Sequence, residues 1–295
     1  MKFYRKKNSV NNSSGIDDWY STLVVYDGNS YYDLGLQDFS ELFFMAKEAG
    51  LGVDKLIKDL ISKNEVPSYK NDIEQSLLIS PIFPNEVWAA GVTYSDSMRA
   101  RQSESDTPDV YAQVYSADRP EIFFKGTGER MQGPGDEVGI REDSGWDVPE
   151  SELAVVIIAG EIAGYTIGND MSSRSIEGEN PLYLPQAKVY NKSFSIGPCI
   201  VSSDTMKDPQ NLEVKLNILR NNKIVFEELS STSQMKRNVF ELVEWLQKSN
   251  DLPEVAILLT GTGIIPPQEF TLNKNDIINI EIEDIGTLSN SVVIV

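Results

Sequence analysis

Glu150, Glu152 and Asp170 are the residues whose types and spacing could do chemistry together. Glu150 and Glu152 stand two apart at the mouth of the run Leu153-Ala154-Val155-Val156-Ile157, whose Val and Ile content predicts a strand. Alternate strand residues face the same way, so the two carboxylates share a face, about 7 Å apart at Cβ. The run meets Ala159-Gly160-Glu161 and resumes over residues 162–170, which predicts a hairpin. With the turn centred on Gly160, Asp170 lies opposite Glu150. Glu152 then faces Gly168, which has no side chain to fill the space beside it. Three carboxylates converge at one end of a two-stranded ribbon. Such charges repel, and burying them unpaired is expensive. A divalent cation would relieve both. Oxygen ligands without thiol or imidazole suit a hard ion: Mg²⁺ or Mn²⁺, or else Ca²⁺. A solvated strand end in an acid-rich chain fits the same spacing, so the pattern alone leaves two readings.

The elements that must position these acids sit in a chain of 295 residues without a histidine. Ser-His-Asp and Cys-His catalysis and His-based zinc chemistry are therefore excluded within it. Acid–base work falls to Asp, Glu, Lys, Tyr or water. The single Cys199 excludes an internal disulfide, fits a reducing, cytoplasmic setting, and reads as a small core residue. A formal net charge of −19 disfavours nucleic acid and anionic membranes as partners. No stretch reaches the apolar length of a membrane span, and the basic residues 1–7 lack the apolar run of a signal peptide. At 40% hydrophobic and 24% charged, the composition is globular.

Residues 1–80 read as a small N-terminal α/β domain: a hairpin across Asp27-Gly28-Asn29-Ser30, then two helices over residues 38–49 and 53–62. No motif there carries chemistry. Pro81-Ile82-Phe83-Pro84 marks a boundary, and residues 81–295 form the second, catalytic domain. In it, residues 86–92 predict a buried strand. Residues 94–105 predict a polar helix carrying Arg99 and Arg101, and 108–120 a surface loop. Residues 121–125 predict a strand with Glu121, Phe123 and Lys125 on one face. A Pro-bounded loop, 181–188, ends in Lys188. Asn221-Asn222 predicts a second hairpin turn, and a helix runs from Thr232 or Ser233 through Lys248. Gly126, Gly128, Gly133 and Gly135 do not form a phosphate loop, because no Lys-Ser/Thr follows them. The fold class is α+β, predominantly β and mostly antiparallel, with helices packed outside.

Several motifs fall in one order: Glu150-Ser151-Glu152-Leu153-Ala154-Val155-Val156, Gly164-Tyr165-Thr166, Asn169-Asp170-Met171-Ser172-Ser173-Arg174, Lys188, Gly197-Pro198 and Leu259-Thr260-Gly261-Thr262. Over roughly residues 85–295 the chain resembles the fumarylacetoacetate hydrolase family. The resemblance implies a mixed β-sandwich roll and a homo-oligomer, dimer or tetramer. It also implies Mg²⁺, Mn²⁺ or Ca²⁺ held by three carboxylates, here Glu150, Glu152 and Asp170. Hydrolytic members carry Gly-x-Asn-Tyr-x-x-His, whereas here Gly91-Val92-Thr93-Tyr94-Ser95-Asp96-Ser97 ends in serine. Residues 119–125 and 179–190 resemble the sugar-acid dehydratase branch of the family, which also lacks that histidine. Ser175 follows Arg174 where family members often have Asp.

The implied reaction is Mg²⁺-dependent dehydration of a 2-keto-3-deoxy sugar acid, 2-keto-3-deoxy-D-arabinonate to 2,5-dioxopentanoate, through an enolate stabilised by the metal. It needs a base and an acid, but neither histidine nor nucleophile. Glu121 is the candidate base or acid, set against an ordinary strand-end carboxylate. Lys188 is the candidate acid or substrate-orienting cation. Thr262 is placed to hydrogen-bond substrate oxygens, and Arg99 and Arg101 to hold an anion, with plain turn and surface roles as the alternatives. Two other functions stay open: acylpyruvate hydrolysis or oxaloacetate decarboxylation, and a non-catalytic binding protein stabilised by its metal.

Overall fold

Val and Ile at alternating positions draw more of the chain into strands than into helices, and the strands into two mixed sheets. The computed structural model describes residues 1–10, 18–104 and 108–295, so Ser105 of the expected polar helix lies outside the described residues. The main path of the larger, 12-stranded sheet begins Ser68–Tyr69, Tyr31–Asp33, Asp18–Tyr26, Lys2–Val10, Phe194–Ser202. It continues Glu161–Ser173, Asp147–Ile158, Val255–Leu259, Glu86–Gly91, Glu121–Thr127. The second sheet has five strands, in the order Lys223–Ser231, Glu213–Arg220, Ile277–Ile282, Gly286–Ile294, Glu137–Ile140. Most pairs are antiparallel; Val255–Leu259 beside Glu86–Gly91 is a parallel exception.

The strand Asp147–Ile158 is buried along its whole length, because both of its faces are covered. Leu153, Val155 and Ile157 join one core with Leu216, Ile218, Ile278 and Ile280 of the second sheet. Ala154, Val156 and Ile158 join the other, with Phe39, Leu42 and Ile57 from the helices Phe39–Glu48 and Val53–Ser62. Each large apolar side chain so buried contributes about 1.5–3 kcal/mol. The boundary expected at residue 80 falls between the strands Leu78–Ile79 and Glu86–Gly91. The sheet continues across it, because Lys2–Val10 pairs with Phe194–Ser202.

Three expected elements differ. Residues 108–120 were expected as a loop, but Pro108–Ser116 is a helix with Tyr111 buried. Proline at a first helical position has its φ already set and no N–H to satisfy. The helix expected from Thr232 or Ser233 begins later, over Val239–Gln247, after a single 3₁₀ turn at Thr232–Gln234. Thr232 is committed elsewhere, since its Oγ1 accepts from the Leu212 N–H at 2.8 Å. Asn238 caps instead, accepting from Phe240 N–H at 2.8 Å. The loop expected over 181–188 contains a 3₁₀ turn, Pro181–Tyr183, and a short helix, Leu184–Lys188. That helix gives Lys188 a fixed base.

Candidate active site

The hairpin Asp147–Ile158/Glu161–Ser173 places Glu150 opposite Asp170 and Glu152 opposite Gly168, the expected register. Ligand oxygens of Glu150, Glu152 and Asp170 lie within 4.8 Å of one another, and all three residues are buried. The room beside Gly168 is not free, however. A Cβ there would meet Leu259 Cδ2 at 2.3 Å, so the missing side chain serves core packing. From the neighbouring loop, the Gly261 N–H donates to Glu152 Oε2 at 2.6 Å. Gly261 has φ +90°, and a Cβ on it would sit 2.0 Å from Thr93 Oγ1, so only glycine brings this N–H so close.

Cations surround the acids. Lys188 Nζ lies 2.9 Å from Glu150 Oε2 and 3.2 Å from Asp170 Oδ2, and donates to Ser172 Oγ at 2.6 Å. Lys125 Nζ lies 2.5 Å from Asp170 Oδ1. Arg174 bridges Glu150 at 3.0 Å and Glu104 at 3.1 Å. Arg101 spans Glu177 at 2.8 Å, Glu104 at 3.1 Å and Glu150 at 3.5 Å. Glu152 alone of the triad has no ion-pair partner among the described residues. Burial, then Asp170 and Glu150, push its carboxyl well above its ordinary range. Burial also raises Glu150, against the pull of Lys188. Burial works against the charge on Lys188, but Asp170 and Glu150 outweigh it and hold the ammonium above its ordinary value.

A dication among these three oxygens would reverse the penalty on Glu152. The donors are all hard, and one of them lacks a counter-charge, so the residues present fit Mg²⁺.

Glu121 opens the strand Glu121–Thr127 and pairs with Gly91. Its carboxylate lies over the Gly91 backbone, where an added Cβ would stand 2.2 Å from Oε2. It lines a cleft together with Ser97, Phe123, Glu150, Asp170 and Lys188. Burial, then Glu177, raises it to about 7. Thr262 is buried beside Gly261, with its hydroxyl 3.4 Å from Ser151 Oγ and accepting from Ile264 N–H at 3.2 Å. It is not part of the cleft wall. Arg99 is not brought to the site: its side chain is 72% exposed and pairs with Asp96 at 3.3 Å. Arg101, two residues on, is buried in the cleft wall.

Sequence reasoning gave no role to Lys125, Arg174, Glu104 or Glu177. The signal for Lys125 was its place on the Glu121 face of an otherwise apolar strand. For Arg174 it was its closeness to Asp170 in the strand-to-helix turn, where Ser173 caps the helix Arg174–Glu179.

The sequence profile described as "Fumarylacetoacetate (FAA) hydrolase C-terminal" matches residues 86–293. A Haloferax volcanii protein named "Probable 2-keto-3-deoxyxylonate dehydratase" is 48% identical over 269 residues, 91% of this chain and 92% of that one. The 2-dehydro-3-deoxy-D-arabinonate dehydratase of Saccharolobus solfataricus is 44% identical over 224 residues, 74% of each chain. A solved structure described as 2-keto-3-deoxy-D-arabinonate dehydratase complexed with magnesium and 2,5-dioxopentanoate superposes with a TM-score of 0.81 at 33% identity. It covers 100% of this chain and 99% of its own. The β-roll expected from the motifs, the carboxylate triad and these matches agree: the chain belongs to the fumarylacetoacetate hydrolase family.

Proposed function

We infer that this chain is a Mg²⁺-dependent dehydratase of 2-keto-3-deoxy sugar acids, converting 2-keto-3-deoxy-D-arabinonate to 2,5-dioxopentanoate. One observation carries the reading. Two members of a buried carboxylate triad, Glu150 and Asp170, line a cleft with Glu121, Glu177 and one lysine, Lys188, in a chain without histidine. The names of the relatives supply the substrate class.

Glu150, Glu152 and Asp170 would hold Mg²⁺, with Mn²⁺ or Ca²⁺ as substitutes. When bound, the ion would act as a Lewis acid on the 2-keto group and so acidify C3. Glu121, raised to about 7, is ionised in part at neutral pH and takes the C3 proton. The C4–O bond breaks, and the leaving hydroxide takes the proton that Glu121 has gained and departs as water, which leaves Glu121 ionised again. Lys188, held protonated, orients the keto acid and supplies positive charge to the leaving oxygen. Two proton shifts, from C5 to C3 and then from the C5 hydroxyl to C4, turn the resulting enone-type acid into the aldehyde. Thr262 and Gly261 form the loop that fixes Glu152. Arg99 has no part in this scheme.

The cleft between these groups is about 20 Å³, room for about one water. A five-carbon acid needs more, so part of the wall, which includes Arg101, Phe123 and Leu184, has to move to admit it.

The same proposal includes a homo-oligomer, dimer or tetramer, in the cytoplasm. Cys199 is buried and free, in keeping with a reducing setting. No helix among the described residues is long and apolar enough to cross a membrane. Sedimentation velocity would measure the assembly.

The function is tested with a panel of 2-keto-3-deoxy sugar acids, with and without EDTA, following aldehyde formation. Aldehyde formed only with Mg²⁺ or Mn²⁺ is the expected result. Release of pyruvate or CO₂ in its place would move the chain to hydrolysis or decarboxylation, and no turnover of any acid would remove the reading.

A further inference from the structure

Lys125 is a fully buried lysine at the end of a run of bulky apolar residues, and none of the chemistry above uses it. Its strand does not run in simple register. Phe124 pairs with Trp88 and Gly126 with Val87, which leaves Lys125 as the extra, unpaired residue of a β-bulge. Bulges next to active sites re-aim a side chain. Here the side chain is aimed under the triad. Its ammonium has three partners: it forms an ion pair with Asp170 Oδ1 at 2.5 Å and donates to the Met171 carbonyl at 3.0 Å and to the Lys188 carbonyl. These acceptors belong to two separate elements, the strand Glu161–Ser173 and the helix Leu184–Lys188. With Oδ1 held from below, Asp170 Oδ2 turns toward Lys188 Nζ, at 3.2 Å.

We propose that Lys125 is a positioning residue that ties the metal half of the site to the substrate half. It fixes the Asp170 carboxylate for the cation and, through the backbone, the end of the helix that carries Lys188. The inference rests on the carboxylate triad being the metal site.

A lysine that only balanced charge would predict the opposite sign. Removing it would leave the triad more negative and bind a dication more tightly. A lysine that orients predicts weaker binding, because partners behind a metal ligand are worth about 10–100-fold in affinity. The test is Mn²⁺ binding to the metal-stripped full chain, read by electron paramagnetic resonance, for the parent, Lys125→Met and Lys125→Arg. Circular dichroism and thermal melts identify folded variants. Both variants are expected to bind Mn²⁺ at least about 10-fold more weakly than the parent. Arginine keeps the charge, but its planar fork cannot send three donors from one nitrogen, so it does not restore binding. Parent-like or tighter binding by folded Lys125→Met, or parent-like binding by Lys125→Arg, overturns the inference while leaving the metal site intact. If Lys125→Met does not fold, Lys125→Arg decides alone. A parent that binds no Mn²⁺ overturns the metal site and this inference with it.

Discussion

Glu150 and Asp170 face each other across a hairpin whose turn, counted alone, would not pair them. The turn is Ala159-Gly160, with φ of 49° and 79°, and it sets Ile158 against Glu161. Continued at that count, Asn169 would stand opposite Glu150, and Asp170 would point to the other face. Ile157 pairs with Ile162, however, and Val156 with Gly164, so Ala163 is an extra residue. This bulge advances the register by one and brings Asp170 round to the acid face. A second bulge, at Lys125, aims a cation at the same carboxylate. Two one-residue insertions in different strands thus assemble the site.

Glu152 has no ion pair, and its carboxyl is pushed well above its ordinary range by burial and then by Asp170 and Glu150. Glu152→Gln removes the repulsion but keeps the shape. In EDTA its melting temperature is expected to equal or exceed that of the parent. In Mg²⁺ the parent gains stability, about 2.7 kcal/mol at a hundredfold excess over Kd, and the variant gains none. Melts with and without Mg²⁺ check both halves, and a variant less stable than the parent in EDTA would contradict the account.

Glu121 links activity and stability to pH with opposite signs. As the base it must be ionised, so kcat/KM should rise with pH through about 7. Its folded pKa is raised above the unfolded value, by burial first and then by Glu177. Its contribution to stability is therefore fully present below the unfolded pKa, about 4.3, and is lost as pH rises through about 7. The loss is on the order of 4 kcal/mol at most. Glu121→Gln cannot ionise, so in EDTA at pH 8 it should be more stable than the parent while losing about 10²–10⁴ in kcat. Denaturant melts at pH 5 and pH 8 test the crossover.

Gly91 offers a way to move Glu121 without touching the triad. A methyl group at this position would stand 2.2 Å from Glu121 Oε2. The backbone there is ordinary strand, so Gly91→Ala should fold. The displaced carboxylate should cost about 10² in kcat, since a shift near 1 Å is enough for that. Mn²⁺ affinity should stay at the parent level. Loss of metal binding in parallel with kcat would mean that Glu121 acts on the metal rather than on the substrate.

The triad was legible because strand alternation and a short hairpin are local rules, and the register they implied survived a bulge that the count had not included. Of the counter-charges, Lys188 was reached through the motif match and Arg101 only together with Arg99, while Lys125 and Arg174 were given no role. Lys125 meets its backbone partner Met171 across 46 residues, and Arg101 meets Glu177 across 76, so no local period announces either contact. The polar helix misled for another reason. Its inward face is Ser97, Arg101 and Glu104, spaced by four and three, and it is ionic rather than apolar. A search for an apolar stripe therefore could not tell Arg101 from Arg99.

That contrast yields the last prediction. Arg99 holds one exposed pair with Asp96 on its own helix, the kind of contact worth well under about 1 kcal/mol. Arg99→Ala should leave kcat/KM within about twofold and the melting temperature unchanged. Arg101→Ala removes the cation shared by Glu104, Glu150 and Glu177. Burial already raises Glu104 to about 7 with Arg101 pulling it down, and without that pull it must rise further. Breaking a buried pair from one side costs about 3–5 kcal/mol. The loss should fall on the helix Ser95–Glu104, which is docked on the site by that guanidinium. Hydrogen exchange over residues 95–104 should speed up in Arg101→Ala, and kcat/KM should fall more than tenfold while the rest of the fold keeps its protection. Equal effects from the two arginine substitutions would mean that the helix is not held by Arg101.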